Sequence, residues 1–95
     1  MSEIRIEMKA QDDGWEFHVT VMEGRSQTSY RVTMSKATYE RLTEGVVSPE
    51  ACVKQAFEFL LEREPKESIL RQFDITKISY YFPDFEPKLK QRLKR

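Results

Sequence analysis

Apolar residues fall at every second position through the first third of the chain, and few folds accept that pattern. Ile4, Ile6 and Met8, then Trp15, Phe17, Val19 and Val21, then Tyr30, Val32 and Met34 alternate with Arg5, Glu7, Lys9, Glu16, His18, Thr20, Arg31 and Thr33. A period of two sends alternate side chains to opposite sides of a strand, so the pattern specifies three half-buried strands with one apolar and one charged face. The interruptions QDDG (11–14) and EGRSQ (23–27) are short and contain glycine, which suits antiparallel hairpins. A meander with strands near 3–10, 15–23 and 27–34 is predicted.

Beyond Met34 the period becomes helical. Ser35 is placed to cap a helix carrying Ala37, Tyr39 and Leu42, and Gly45 stands where a left-handed residue would stop it. The stretch SPEACVKQAFEFLLERE opens with a cap serine, a proline at the first helical position and Glu50 near the positive end of the dipole, which predicts a helix over 49–63. Its apolar residues cover more than one stripe: Val53, Phe57 and Leu60 form a face, with Cys52 and Phe59 on its flanks. Such a helix needs cover on two sides. The sheet supplies one, and the C-terminal segment or a second copy of the chain must supply the other, which makes Cys52 and Phe59 candidate interaction residues.

Pro65 ends that helix, and KESILRQF reads as a shorter one burying Ile69, Leu70 and Phe73. DITKISYYFP reads two ways. A strand would bury Ile78, Tyr80 and Phe82, whereas a helix capped by Asp74 would bury Ile75, Ile78 and Phe82; the cap and the spacing favour the helix. After Pro83 the apolar stripe continues through Phe85, Leu89 and Leu93, with acids at its start and bases at its end. The expected architecture is a two-layer α+β domain over 1–95, a three-stranded antiparallel meander packed on one face by C-terminal helices, with a basic end at 88–95.

With 95 residues the chain supports one modest core. One cysteine excludes an intramolecular disulfide framework, no signal peptide is evident, and no apolar run approaches the roughly 20 residues of a membrane span, so a reduced, soluble, cytoplasmic protein is expected. Net charge is zero, but five of the 16 basic residues lie in KLKQRLKR (88–95), leaving 11 against 16 acids elsewhere. An acidic body and a basic tail can pair within a chain or between copies, or the tail can reach for an anion.

That tail carries one functional candidate. Lys88, Lys90, Arg92, Lys94 and Arg95 follow Tyr80, Tyr81, Phe82 and Phe85, cations beside stacking faces, as a nucleic-acid contact requires. The same composition also follows from helix design, because cations complement a helix C-terminus and most of these aromatics suit a core. His18, the only histidine, falls on the charged sheet face near Glu7 and Arg31, where a solvated side chain is expected. A nucleophilic pair of His18 with Cys52 has no local motif behind it, and Glu58 and Glu62, one turn apart with Lys54 nearby, fit a wet charged face. One histidine and one cysteine leave no zinc set, and the three glycines form neither a phosphate loop nor a dinucleotide fingerprint, so neither cofactor nor metal is expected.

The segment FEFLLEREPKESILRQFDITKISYYFPDFE (57–86) resembles a group of small uncharacterised bacterial proteins of unknown function. A similar helix, an EREP break, a SIL segment and a YFP followed by an acid recur in them. The resemblance implies a small stand-alone domain and brings no catalytic or binding residues with it. The sequence thus points to a non-enzymatic module that binds a protein partner or itself, with nucleic-acid binding through the basic end as the alternative.

Overall fold

The computed structural model describes residues 2–94. Its first three elements, β1 (Glu3–Gln11), β2 (Gly14–Glu23) and β3 (Ser26–Ser35), run antiparallel and are joined by two-residue turns. The register sets Ile4 opposite Val21, Ile6 opposite Val19, Met8 opposite Phe17, and Val19 opposite Tyr30, so the alternating apolar set meets on one face. Phe17, Val19, Val21, Tyr30, Val32 and Met34 are all buried there.

Helix α1 (Lys36–Thr43) starts where Ser35 Oγ accepts the Thr38 N–H at 3.0 Å, and it ends at two left-handed residues, Glu44 with φ 54° and Gly45 with φ 75°. Helix α2 (Pro49–Arg63) is capped in the same way, with Ser48 Oγ accepting from Ala51 at 3.1 Å, and it has the length expected from the sequence. Phe57 packs against Tyr30 of the sheet at a ring separation of 5.1 Å.

The next stretch departs from expectation. KESILRQF forms a helix only as a single tight turn at Lys66–Ser68, after which the chain extends into β4 (Gln72–Asp74), a fourth strand parallel to β3. The sheet order is β1-β2-β3-β4. Backbone pairing overrides the apolar spacing here: Arg31 donates to the Arg71 carbonyl at 2.8 Å, and Ile75 donates to the Thr33 carbonyl at 2.9 Å. A parallel neighbour needs a long crossover, which α1 and α2 provide. Ile69 is buried as expected, while Leu70 remains 46% exposed.

Asp74 ends the strand instead of capping a long helix. One of its oxygens accepts from Thr33 Oγ1 at 2.6 Å, and the other takes the Thr76 N–H at 3.1 Å and the Thr76 hydroxyl at 2.7 Å. Helix α3 (Lys77–Tyr81) follows, burying Ile78, and α4 (Phe85–Leu93) buries Phe85, Leu89 and Leu93 against α2 and α1. Among the described residues no helix is long and apolar enough to cross a membrane.

Gly14 explains why the first hairpin closes against the start of α1. A Cβ on it would lie 2.1 Å from the Met34 carbonyl oxygen and 2.6 Å from Ser35 Cα, both backbone atoms that cannot swing away. Gly14→Ala is therefore expected to destabilise the fold by about 1–3 kcal/mol, read as a lower urea midpoint at unchanged slope.

Candidate functional site

The sheet leaves one long edge open, and the hydrogen-bond parity of its strands shows which backbone groups lie along it. Arg31 and Thr33 of β3 bond outward to the β4 segment, so Tyr30 and Val32 bond inward to Val19 and Phe17. Glu16, His18 and Thr20 of β2 then bond to Lys9, Glu7 and Arg5 of β1. That leaves the N–H and C=O groups of Ile4, Ile6, Met8 and Ala10 directed out of the sheet, with no hydrogen bond from another element among the described residues. Their side chains lie on the helix face, Ile4 and Ile6 half-buried and Met8 41% exposed. Leu61 of α2, also half-buried, flanks Ile4 at the same margin.

Cys52 and Phe59, the candidate interaction residues, are both enclosed at 0% exposure. The second face of α2 is covered from within the chain. Phe85 stands 5.2 Å and Phe82 6.0 Å from the Phe59 ring, and the Arg63 guanidinium lies over it at 4.0 Å. Arg63 also forks onto Asp84 at 2.9 and 3.0 Å, which holds that carboxyl below its ordinary range. Neither residue presents a surface to an outside molecule, so the apolar arc of α2 is no longer a reason to expect a partner.

The basic end is likewise partly committed. Arg92 pairs with Glu62 of α2, whose pKa the hydrogen bond lowers, and the guanidinium stands 6.0 Å over Phe59. One of the tail charges that were candidates for pairing between copies thus meets a body acid inside the chain. Arg41 of α1 pairs with Glu86 in the first turn of α4. Lys88, Lys90 and Lys94 are exposed, and Arg95 lies outside the described residues. Tyr80 and Tyr81 are not core either: they are 77% and 56% exposed, with the Lys77 ammonium 4.7 Å over the Tyr80 ring. Phe82 is half-buried and Phe85 fully buried, so two of the four aromatics before the tail face solvent.

Two further features complete the surface. An open groove of about 280 Å³ runs between the end of α2, Ile69, Phe73 and α3, with Glu64, Lys77 and Tyr81 among the residues lining it. On the opposite face of the sheet His18 is exposed between Glu7 and Arg31, with Arg31 3.6 Å from Glu16. Cys52 sits in the helix layer, so the sheet separates the only thiol from the only imidazole and they form no catalytic pair.

Sequence reasoning missed Lys66, which is 1% exposed. Its ammonium donates to Ser26 Oγ at 2.6 Å and to the Glu67 carboxylate, while its carbonyl accepts the Tyr30 hydroxyl at 2.5 Å. These bonds tie the turn after Pro65 to the second hairpin, and the ammonium holds the Glu67 carboxyl below its ordinary range. A lone lysine after a proline carries no sign of this. Its cover appears only in the fold, where the turn after Pro65 meets Ser26 and Tyr30.

Comparison with protein-family models, with curated proteins and with solved structures gave no match to this chain.

Two outcomes are expected from these environments. Burial pushes the Cys52 thiol up to about 12, so the folded chain favours the neutral form, and the stability this gives is lost as pH rises from about 9 toward 12. At pH 8 a thiol reagent should label Cys52 only as fast as the chain unfolds; immediate labelling would show an open site. At the acid end the depressed pKa values of Glu62, Glu67 and Asp84 mean that the unfolded chain binds protons more tightly. Stability is then full above the ordinary carboxylate range and declines as pH falls through it toward the lower folded values. Urea midpoints measured between about pH 6 and 3 should drop, and Arg92→Gln should flatten part of that drop.

Proposed function

We propose that this chain is a non-enzymatic interaction module whose first partner is another copy of itself. The observation that carries the reading is the open edge of β1. It is nine residues long and paired with β2 without a bulge, and it has no proline and no charge on its helix face. Natural sheets usually blunt a free edge by shortness, a bulge, proline or charge; of these β1 has only charge, alternating in sign on its outer face, and its unpaired backbone groups are a template for another strand. A cytoplasmic setting suits the module, since its single buried thiol needs no oxidising compartment.

A second reading, nucleic-acid binding, is favoured by the exposed Lys88, Lys90 and Lys94 on the helix that follows an exposed tyrosine pair. It is the weaker one because Arg92 is already held by Glu62. Three phosphate contacts would give a salt slope of about −2.7, or roughly 40-fold between 50 and 200 mM. Fluorescence anisotropy of labelled oligonucleotides at those two concentrations separates the readings, and binding with that salt dependence would put the nucleic-acid reading first.

Sedimentation velocity across a wide concentration range tests the leading proposal. The weight-average mass is expected to rise with concentration from 11.3 kDa toward twice that value. A mass fixed at one chain throughout rejects self-association.

A further inference from the structure

The outer face of β1 carries Glu3, Arg5, Glu7 and Lys9, a strict alternation of sign along one edge strand. Resting on the self-association reading above, we infer that two copies join through antiparallel pairing of β1 with β1, about a two-fold axis at Ile6. In that register Ile6 faces Ile6 of the second copy and Ile4 faces its Met8. Glu3 then meets Lys9 and Arg5 meets Glu7, so all four charged cross-strand pairs are opposite in sign.

The backbone permits this register. Ile4, Ile6 and Met8 have outward N–H and C=O groups, and these become the hydrogen-bonded positions of the new ladder. Glu3, Arg5, Glu7 and Lys9 then occupy the positions between those bonds, where facing side chains come closest, at Cα separations of about 4.5 Å. Neighbouring registers keep the backbone pairing but fail on charge. An axis at Arg5 sets Glu3 against Glu7, and an axis at Glu7 sets Arg5 against Lys9. Like charges directly opposite oppose pairing, and axes at Ile4 or Met8, which meet no like charges, keep only two of the four opposite-sign pairs, so the charge pattern favours the axis at Ile6.

The monomer leaves these groups available. Among the described residues the ion pair of Arg5 is with Glu3, at 3.2 Å, and their side chains are 70% and 63% exposed, a contact easily exchanged for one across the axis. Residues that face each other across an antiparallel pair lie on the same side of the sheet, so both helix layers end on one face of a continuous sheet with twice the four strands of one chain. The half-buried Ile4, Ile6 and Leu61 and the exposed Met8 of each copy then cover one another at the seam.

The test is a charge swap on the full chain. Arg5→Glu and Glu7→Arg each place like charges opposite in the homodimer, twice over because of the two-fold axis. Each is expected to weaken dimerisation on the order of tenfold or more. An equimolar mixture of the two variants restores both pairs in a heterodimer, and the double variant restores them in a homodimer. Both side chains are exposed beside Thr20 and His18, so circular dichroism and the thermal midpoint should match the parent chain. Independently, amide exchange at Ile4, Ile6 and Met8 should slow as concentration rises.

Rescue by mixing, with concentration-dependent protection at those three amides, establishes the β1 pairing. A parent chain that dimerises while both single variants dimerise equally well overturns it, and the association then uses another surface. A parent chain that stays monomeric overturns both the pairing and self-association. A β1 edge that pairs only with a strand from a different protein overturns the two-fold pairing as well.

Discussion

Two sides of α2 need cover at once, and everything after β3 is arranged to give it. Phe57 turns toward Tyr30 and the sheet, while Phe59 lies on the far flank of the same helix. A single sheet face cannot reach both. The chain therefore returns after Pro65, lays β4 beside β3, and brings α4 across α2 so that Phe85, Leu89 and Leu93 close over the second side. Burying Phe59 with those three side chains contributes roughly 6–12 kcal/mol before the cost of ordering the segment. The exposed ion pairs around them add little beside that. Apolar cover sets the position of α4, and Arg63–Asp84 and Arg92–Glu62 secure its angle.

This arrangement changes the meaning of the basic end. A run of five cations looks like a surface offered to an anion, yet α4 needs bases near its C-terminus to complement its dipole. Arg92 points back onto the acidic flank of α2, at the ring of Phe59. One of the five tail cations is thus held by the acidic body inside the chain, while Lys88, Lys90 and Lys94 stay exposed. The sheet edge also faces outward, and among the described residues no other element hydrogen-bonds to it.

The strands, their partners and the bounds of α1 and α2 were legible because each is written in side chains: a period of two, two-residue breaks, Ser35 and Ser48 at the caps, Gly45 at a stop. β4 was not legible. It is three residues long and held by backbone bonds from Arg31 and to Thr33, which leave no pattern in side-chain hydropathy. Lys66 is buried and Leu70 left in solvent, two placements that run against residue type. Tyr80 and Tyr81 followed Ile78 in an apolar-looking run, but one short turn of helix can bury only one side of itself. The alternating signs on β1 were visible from the start. Their self-complementarity had no meaning until the sheet order put β1 at an edge and the parity of its bonds showed which residues face out.

The two edges of the sheet are treated differently, and that contrast argues for a use. β4 is very short and flanked by the turn at Asp74, one of the ordinary ways to make an edge a poor template. β1 is long and regular, and a charged edge of this kind is normally read as a barrier to pairing. A barrier works best with one sign, because two copies then repel in every register. Alternating signs do the opposite: they repel when the axis falls on Arg5 or Glu7 and attract when it falls on Ile6. Charge on β1 therefore does not close the edge. It favours the geometry with the most opposite-sign pairs, the axis at Ile6, while the apolar residues on the other face of the strand supply the reason to associate at all.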